Sequence, residues 1–506
     1  MERRTFLKIL SSAGIVSLVS PTFAMEVCKN KVSKSSSALL ESAFRNPPFS
    51  SGVYTWWHWM NGNITKDGIT RDLEAMKANG IAGYQLFEAG SGIPIGPVES
   101  LSDEWVDLIL HTLKESERLG LEFAMHNCPG WSSSGGPWIT PDKAMQIITW
   151  SETKITGGKQ VRIQLPTPKH MFDYYIDTYC LAIPANMKVI PRLSILELSN
   201  RLDKDGVLTW DVPTGEWLIM RFGQTAKDQK NKSAPSKSTG LDCDKFSTEA
   251  LDYHLNCMFK RLMPTMEKIA KHSKIGLLID SYETGDQDWT SDMPAYFEQS
   301  HGYELYPFLP VLANKIVESE ESTKRFLFDF RRVRADMFAE RYYGHFQKRC
   351  KEKGIITYTE PYGGNMMEEL QVAQQLDINM GEFWCGQTVL WANYKYNRTV
   401  KQVASIAHTL GGKVVGAEAF TSEPDADKWL QYPYALKSLG DYMFTRGLSR
   451  IYFHRFAHQP HPTVAPGMTM GAWGLHFDRT NTWWKPGKAW IEYLNRCQYI
   501  FQSSTF

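Results

Sequence analysis

The chain has 506 residues, enough for two or three domains or for one barrel of about 250 residues that carries a large insertion. Its 56 lysines and arginines balance 55 aspartates and glutamates, and this net charge of +1 excludes a global attraction to nucleic acid, anionic membranes or polyanionic substrates. The 17 tryptophans, 22 tyrosines and 25 phenylalanines suit stacking on sugar rings, although aromatic side chains more often fill a core.

Residues 1–24 have the pattern of an export signal of the twin-arginine type. Arg3 and Arg4 precede the apolar run Ile9–Val19, and a small-residue cleavage site ends at Ala24. The apolar run is too short for a stable transmembrane helix. The sequence therefore predicts an exported protein, periplasmic or extracellular.

A linker is predicted over residues 25–50, which are rich in serine and lysine. A lipid anchor on Cys28 is the less favoured alternative, because the preceding residues lack the small side chain of a lipidation site. No later segment approaches about 20 continuous apolar residues, so no membrane span is expected. The 8 cysteines form no C-x-x-C pair, which argues against a zinc site and a disulfide scaffold. Nothing in the sequence indicates the oligomeric state.

The mature chain opens with alternating strands and helices. Strands are predicted over 53–60, 83–87 and 121–126, with amphipathic helices over 66–78 and 103–119 between them. Strands that alternate with helices predict a parallel sheet with right-handed crossovers. Residues 51–149 are therefore assigned to the first part of a barrel.

A small antiparallel β domain is predicted over residues 150–242, after the third strand. This region shows alternating β segments and no helical period, and it ends in the lysine- and serine-rich stretch 227–238. The preceding loop, 127–138, is rich in Gly and Pro and contains Trp131, which is expected to form part of a site wall.

Residues 243–506 resume the alternation of strands and helices. Long helices are predicted over 247–272 and 323–353. Strands that begin near residues 275, 355, 378, 414 and 450 bring the total to about eight. The predicted fold is therefore α/β, a (β/α)8 barrel with an inserted β domain.

Several of these strands end on a carboxylate, at the end of a barrel where active sites lie. Paired carboxyl groups, one protonated and one ionised, are what glycoside hydrolysis needs, although some of these acids are expected to cap helices or to pair with arginines. Acids so close together need shared protons or a cation such as Ca²⁺ to offset their repulsion. The residues at this rim are Glu88, Asp280, Glu283, Glu360, Glu382 and Glu418, with His126, His454 and His458.

An ordered set of motifs over roughly residues 45–500 resembles glycoside hydrolase family 106, the α-L-rhamnosidases. The resemblance implies a (β/α)8 catalytic domain, inversion at the anomeric carbon, and a calcium ion that helps to bind sugar hydroxyls. The motifs are Trp56–Asn63, Gly130–Trp138, Ile279–Glu283, Glu360–Gly364, Gly416–Phe420 and Tyr452–Pro460.

By the same resemblance, Glu283 is the general acid and Glu418 the general base, and inversion would place their carboxyl groups about 6.5–9.5 Å apart. Glu360 and Glu382 are expected to bind calcium or the sugar. The other expected sugar contacts are Trp57, His58, Glu88, Trp131, Asp280, His454 and His458.

The leading hypothesis is an exported, inverting enzyme that releases L-rhamnose from α-L-rhamnosides of polysaccharides or glycosides. Two alternatives stay open: a sugar-binding protein without catalysis, and a barrel glycosidase of different sugar specificity. The family usually continues into C-terminal β-sandwich domains, whereas this sequence stops at Phe506, so a truncated catalytic domain is expected.

Overall fold

A computed structural model of the chain describes residues 34–90, 92–131, 134–385, 389–422, 429–471 and 474–504. The chain divides into two units, Met1–Pro48 and Phe49–Phe506. The predicted export signal and Cys28 lie outside the described residues. In the first unit, helix α1 (Lys34–Arg45) occupies part of the predicted linker. No helix within the described ranges has the length and apolar character needed to cross a membrane.

The second unit is built on a closed barrel of eight parallel strands. Around the barrel they follow the order β1 (Tyr54–Met60), β16 (Arg450–Ala457), β15 (Val415–Ser422), β14 (Ile378–Cys385), β13 (Ile356–Thr359), β11 (Ile275–Ile279), β3 (Glu122–His126) and β2 (Gly83–Ala89). This arrangement confirms the predicted (β/α)8 fold. In chain order the strands are β1 Tyr54–Met60, β2 Gly83–Ala89, β3 Glu122–His126, β4 Gln146–Thr156, β5 Lys159–Gln164, β6 Ile176–Pro184, β7 Val189–Ile190, β8 Leu196–Glu197, β9 Val207–Val212, β10 Glu216–Ala226, β11 Ile275–Ile279, β12 Ile316–Val317, β13 Ile356–Thr359, β14 Ile378–Cys385, β15 Val415–Ser422 and β16 Arg450–Ala457.

Helices follow most of the barrel strands, and the helices after β1 and β2 are bounded by capping residues. Thr65 accepts a hydrogen bond from Gly68 N at the start of the second helix, and Gly120 ends the third in the left-handed conformation. The further helices are α2 Lys66–Ala78, α3 Asp103–Leu119, α4 Thr248–Phe259, α5 Met263–Ala270, α6 Met293–His301, α7 Leu309–Leu312, α8 Glu320–Met337, α9 His345–Lys351, α10 Glu369–Ala373, α11 Val389–Thr409, α12 Pro433–Thr445 and α13 Lys488–Ser503.

Two long predicted helices are interrupted. The helix expected over 247–272 is divided into α4 and α5, and Pro264 lies in the first turn of α5, where the ring is tolerated. The helix expected over 323–353 contains the π-helical segment Phe338–Gly344 between α8 and α9. Such segments occur frequently at functional sites. Here the π segment buries Tyr342 and Tyr343.

The insertion after β3 contains a four-stranded sheet in the order β4-β10-β6-β8 and a separate pair of β5 with β9. The pairs within these two sheets are antiparallel, and the larger sheet begins at Gln146, four residues before the predicted boundary. The chain then returns to the barrel through residues 227–244, which we call the return segment. It runs beside the barrel loops that follow β3 and β11.

Candidate active site

A cavity of about 370 Å³ lies at the carboxyl ends of the barrel strands. Its volume falls within the range of small-molecule sites, and this end of such a barrel is where active sites lie. The lining residues are Trp56, His58, Trp131, Asp280, Ser281, Glu283, Glu382, Trp384, Glu418, Thr421, His454 and Met470.

Strand β1 contributes alternate residues to the cavity, because successive side chains of a strand point to opposite faces. Trp56 and His58 line the cavity, and the Trp56 ring stacks on Phe87 at 4.2 Å. Trp57 is buried on the other face, where its Nε1–H donates to Asp72 Oδ2 at 3.2 Å. Trp57, the predicted sugar contact, therefore faces away from the cavity, whereas Trp56 lines it.

Strand β15 carries a bulge next to Glu418. Ala419 pairs with Phe383 and Thr421 with Trp384, so Phe420 is the extra residue, and its φ is +62°. In a regular strand, residues 418 and 421 would point to opposite faces. The bulge lets both line the cavity, where Thr421 Oγ1 donates to Glu418 Oε1.

The register of β16 also shifts at the cavity, between its pairs with Thr55 and Trp57. His454 lies in this irregular stretch, with its Nδ1 3.8 Å from Glu418 Oε1. Burial, and then the nearby Arg455 guanidinium, hold the pKa of His454 well below its usual range, so the ring is neutral.

His458 was expected to contact the sugar but lies outside the cavity. Its Nδ1–H donates to Asp72 Oδ2 at 2.9 Å, and its Nε2 accepts from Thr65 N at 3.3 Å. Arg479 Nε also donates to Asp72, at 2.7 Å. Both ring nitrogens of His458 are thus engaged in joining the end of β16 to the start of α2.

Glu88 is also outside the cavity lining. It is buried at the end of β2, where Ser100 Oγ donates to its Oε2 at 2.7 Å. Burial raises the pKa of Glu88 to about 7. At the end of β3, His126 is buried against the Cys128 carbonyl, and this burial lowers the pKa of His126 to about 3. Both side chains belong to the packing around the site.

Glu283, the predicted general acid, lies on the loop that follows β11, and its side chain is exposed. Trp131, from the loop after β3, donates its Nε1–H to Glu283 Oε2 at 2.8 Å. Two loops that are 152 residues apart in sequence therefore meet at this carboxyl group.

A buried cluster of carboxyl groups lies beside Glu283. Burial raises the pKa of Asp280 well above its usual value, and the charge of Glu283 adds to this effect. Burial also raises the pKa of Glu360, with further contributions from Asp280 and Glu418. The cluster therefore holds protons that isolated carboxyl groups would have lost.

Glu418 belongs to the same cluster. Its pKa is raised well above the usual value by burial first and then by the charge of Glu382. Glu382 is half-buried and accepts a hydrogen bond from Trp384 Nε1 at 3.2 Å. Without a compensating positive charge, the protonated form of Glu418 is favoured.

The donor set partly fits calcium. Oxygen ligands with negative charge suit Ca²⁺. Glu360 Oε1 is buried and has no hydrogen-bond partner in the described ranges. Where the structure is described, however, no three His, Cys, Asp or Glu residues are grouped so that they could hold one metal ion. A cation here would take further ligands from hydroxyl groups or water.

Sequence reasoning missed five lining residues: Trp56, Ser281, Trp384, Thr421 and Met470. The alternation of β1 could have favoured Trp56 and His58 together, since they are two residues apart. Thr421 depends on the bulge, and Met470 lies on a long loop after β16, so no local pattern indicates either residue.

The sequence profile of the glycoside hydrolase 106 family, described as alpha-L-rhamnosidase, matches residues 45–176 and 168–506. This chain belongs to glycoside hydrolase family 106. The match confirms the resemblance carried by the ordered motifs.

Two proteins place this family 106 chain among known relatives. It is 41% identical over 494 residues to a Formosa agariphila protein that carries the provisional name beta-glucuronidase; the alignment covers 92% of this chain and 42% of that protein. The solved structure of a rhamnosidase from Novosphingobium sp. PP1Y matches with a TM-score of 0.84 at 24% identity, over 92% of this chain and 61% of the other. At that identity the match shows the fold. The chain spans less than two thirds of the length of either relative.

Proposed function

We propose that this chain is the catalytic barrel of an exported, inverting α-L-rhamnosidase, which releases L-rhamnose from α-linked polysaccharides or glycosides. The observation that carries the proposal is the cavity itself. Four carboxyl groups line it, from Asp280, Glu283, Glu382 and Glu418, and its lining contains no lysine or arginine in the described part of the chain. The family description and the leader-like residues 1–24 also support the proposal.

Because no lysine or arginine side chain lines the described cavity, the site favours a neutral sugar over a uronic acid. A glucuronate carboxylate would meet like charges without an arginine or lysine to bind it. His58 does not substitute, because burial holds its pKa well below the usual value and keeps the ring neutral. Trp56 and Met470 offer apolar surface to the methyl group of a 6-deoxy sugar.

Polar atoms with no other partner favour sugar hydroxyls as ligands. Trp56 Nε1 and His58 Nδ1 are buried at the cavity and lack a hydrogen-bond partner within the described ranges. Buried polar groups of this kind are ordinarily satisfied, so a bound hydroxyl would complete them. Asp280 supplies an acceptor nearby.

In the proposed mechanism, Glu283 protonates the glycosidic oxygen as the bond from that oxygen to the anomeric carbon breaks. Glu418 accepts a proton from a water molecule that attacks the opposite face of the sugar. Thr421 holds one oxygen of Glu418 by donating to it, which leaves the other oxygen for the water. The proton gained by Glu418 and the proton lost by Glu283 are later exchanged with solvent.

The raised pKa of Glu418 opposes the base role unless positive charge is added to the cluster. We therefore propose that Ca²⁺ binds at this cluster, with Glu360 and Glu382 as its ligands. When bound, calcium would contribute positive charge, which lowers the pKa of neighbouring carboxyl groups and attracts sugar hydroxyls. The buried Glu360 Oε1 and the oxygen-only donor set support this assignment.

The test is hydrolysis of aryl α-L-rhamnosides and β-D-glucuronides by the purified chain, with calcium and with a chelator. We expect release of rhamnose only, lower activity after chelation, and a kcat at least 100-fold lower in Glu283→Gln and Glu418→Gln. Glu283→Gln should retain more activity on a 2,4-dinitrophenyl glycoside, whose leaving group needs no proton, whereas Glu418→Gln should lose activity on every substrate. Glu298→Gln, on the exposed face of α6, is the matched control.

Release of glucuronate in preference to rhamnose would contradict the sugar assignment. A folded chain that binds rhamnose without releasing it from any donor would favour a binding protein. The anomer that forms first, followed by proton NMR, reports whether the configuration is inverted.

A further inference from the structure

Trp131 lines the cavity and also contacts the carboxyl group of Glu283. Its indole N–H donates to Glu283 Oε2 at 2.8 Å. Glu283 is exposed, so its side chain would otherwise keep most of its rotamer freedom. Because a tryptophan N–H is a donor only, the bond commits one defined oxygen of the carboxyl group.

The loop that carries Trp131 is itself fixed by the return segment. Trp131 N donates to Lys232 O at 3.2 Å, and Asn231 Nδ2 donates to Pro129 O at 3.1 Å. Gly130 N donates to Glu88 O at 3.0 Å, which ties the loop to the end of β2. The loop that carries the indole is therefore bound to the return segment on one side and to the end of β2 on the other.

The same return segment also holds the loop that carries Glu283. Gln229 Oε1 accepts from Gly285 N at 3.3 Å, and Lys227 Nζ donates to Asp286 O at 2.5 Å. One segment thus fixes the donor of this hydrogen bond and the backbone just after its acceptor.

We propose that Trp131 is a positioning residue for the general acid Glu283, and that the return segment sets the geometry of this pair. The inference rests on the proposed function. With Oε2 bound to the indole, Oε1 carries the proton toward the glycosidic oxygen. As that proton leaves and the carboxyl group becomes an anion, the indole bond becomes charge-assisted and stronger. The indole therefore stabilises the transition state more than the ground state.

The test compares Trp131→Phe with the unchanged chain on two rhamnosides, one with an alkyl leaving group and one with 2,4-dinitrophenolate. Phenylalanine keeps a ring for stacking and loses the N–H. We expect kcat to fall about tenfold on the alkyl glycoside and less than about twofold on the activated one, with KM unchanged. Trp217→Phe is the control, since it removes an indole N–H that donates to Pro213 O in the inserted domain.

A double variant gives an independent readout. If the indole acts through the carboxyl group, Trp131→Phe in a Glu283→Gln background should cost no further activity on the alkyl glycoside. Additive losses, equal losses on both leaving groups, or a change in KM alone would overturn the positioning role and leave a sugar-stacking residue.

Failure of the proposed function has a different signature, because the unchanged chain would then hydrolyse none of the glycosides. If Trp131→Phe does not fold, judged by its thermal unfolding, Asn231→Ala takes its place, since it removes the side-chain hydrogen bond from the return segment to Pro129 O of the same loop. It should show the same dependence on the leaving group, and equal losses on both glycosides would overturn the inference.

Discussion

Glu88 is a buried carboxyl group at the end of a barrel strand that we expect to influence stability through its ionisation. Its pKa in the folded chain is about 7, raised by burial from the usual 4.5. The folded state therefore binds the proton more tightly than the unfolded state. As pH rises from 4.5 through 7, stability should fall by up to about 3 kcal/mol from this group, and it should change no further above pH 7.

The variant Glu88→Gln tests this sign. It removes the ionisation while retaining the shape, so its midpoint of thermal unfolding relative to the unchanged chain should rise between pH 5 and pH 8. Thermal unfolding followed by circular dichroism at the two pH values measures the difference. Glu298→Gln, at an exposed position, should show little change with pH. A difference for Glu88→Gln that stays constant with pH would contradict the burial argument.

Single residues also show what the sequence could predict about the site. Carboxylates after predicted strands led to Asp280, Glu283, Glu382 and Glu418, because strand ends meet at one rim whatever the exact boundaries are. The sequence does not separate Trp57 from Trp56 as the residue facing the site, because a run of aromatic residues does not reveal which face of a strand turns inward. That face is decided by Asp72 on α2, which binds the Trp57 indole.

Among the local elements, the loop after β3 depends on a glycine whose backbone no other residue can replace easily. Gly130 has a φ of +78°, and a Cβ there would meet Lys232 O at 2.0 Å. Gly302 has nearly the same φ, +76°, but a Cβ there meets nothing within 4 Å. Comparing substitutions at Gly130 and Gly302 therefore distinguishes the effect of a strained backbone from the effect of displacing the loop.

We expect Gly130→Ala and Gly302→Ala each to lose about 1–2 kcal/mol of stability from the left-handed backbone. Only Gly130→Ala should also lower kcat, about tenfold or more, because relief of the clash moves Trp131 away from Glu283. Urea unfolding and kinetics on an alkyl rhamnoside measure the two effects. Comparable activity in both variants would show that the loop has no role in positioning.

The regular elements followed closely from the sequence, and the irregular ones did not. Helices α2 and α3 have the predicted bounds, because caps and apolar spacing are local signals. The bulge at Phe420 and the π segment at Phe338–Gly344 had no such signal. Both depend on how a strand or helix is fitted against neighbours that are distant in sequence, and both lie close to the carboxyl cluster.

Across the whole molecule, stability comes from the packed barrel without covalent cross-links in the described part. None of the seven cysteines there forms a disulfide with another described residue, and five of them are buried. We expect a reducing agent to leave the midpoint of thermal unfolding unchanged. The measurement is differential scanning fluorimetry with and without dithiothreitol, beside a thiol titration of the native chain. Among the described cysteines, exposed Cys257 should react first, and a lowered midpoint would indicate a disulfide that this structure lacks.

The closure of the barrel has a consequence for biosynthesis. Strand β1 pairs with β2 on one side and with β16 on the other, and Thr55 lies 398 residues before its β16 partner Phe453. As the chain emerges from the ribosome, the β16-facing edge of β1 stays unpaired until almost the whole barrel has been synthesised. Contacts so distant in sequence form slowly, and open strand edges favour association between chains. A nascent chain is therefore most exposed to misassembly just before its last strand arrives.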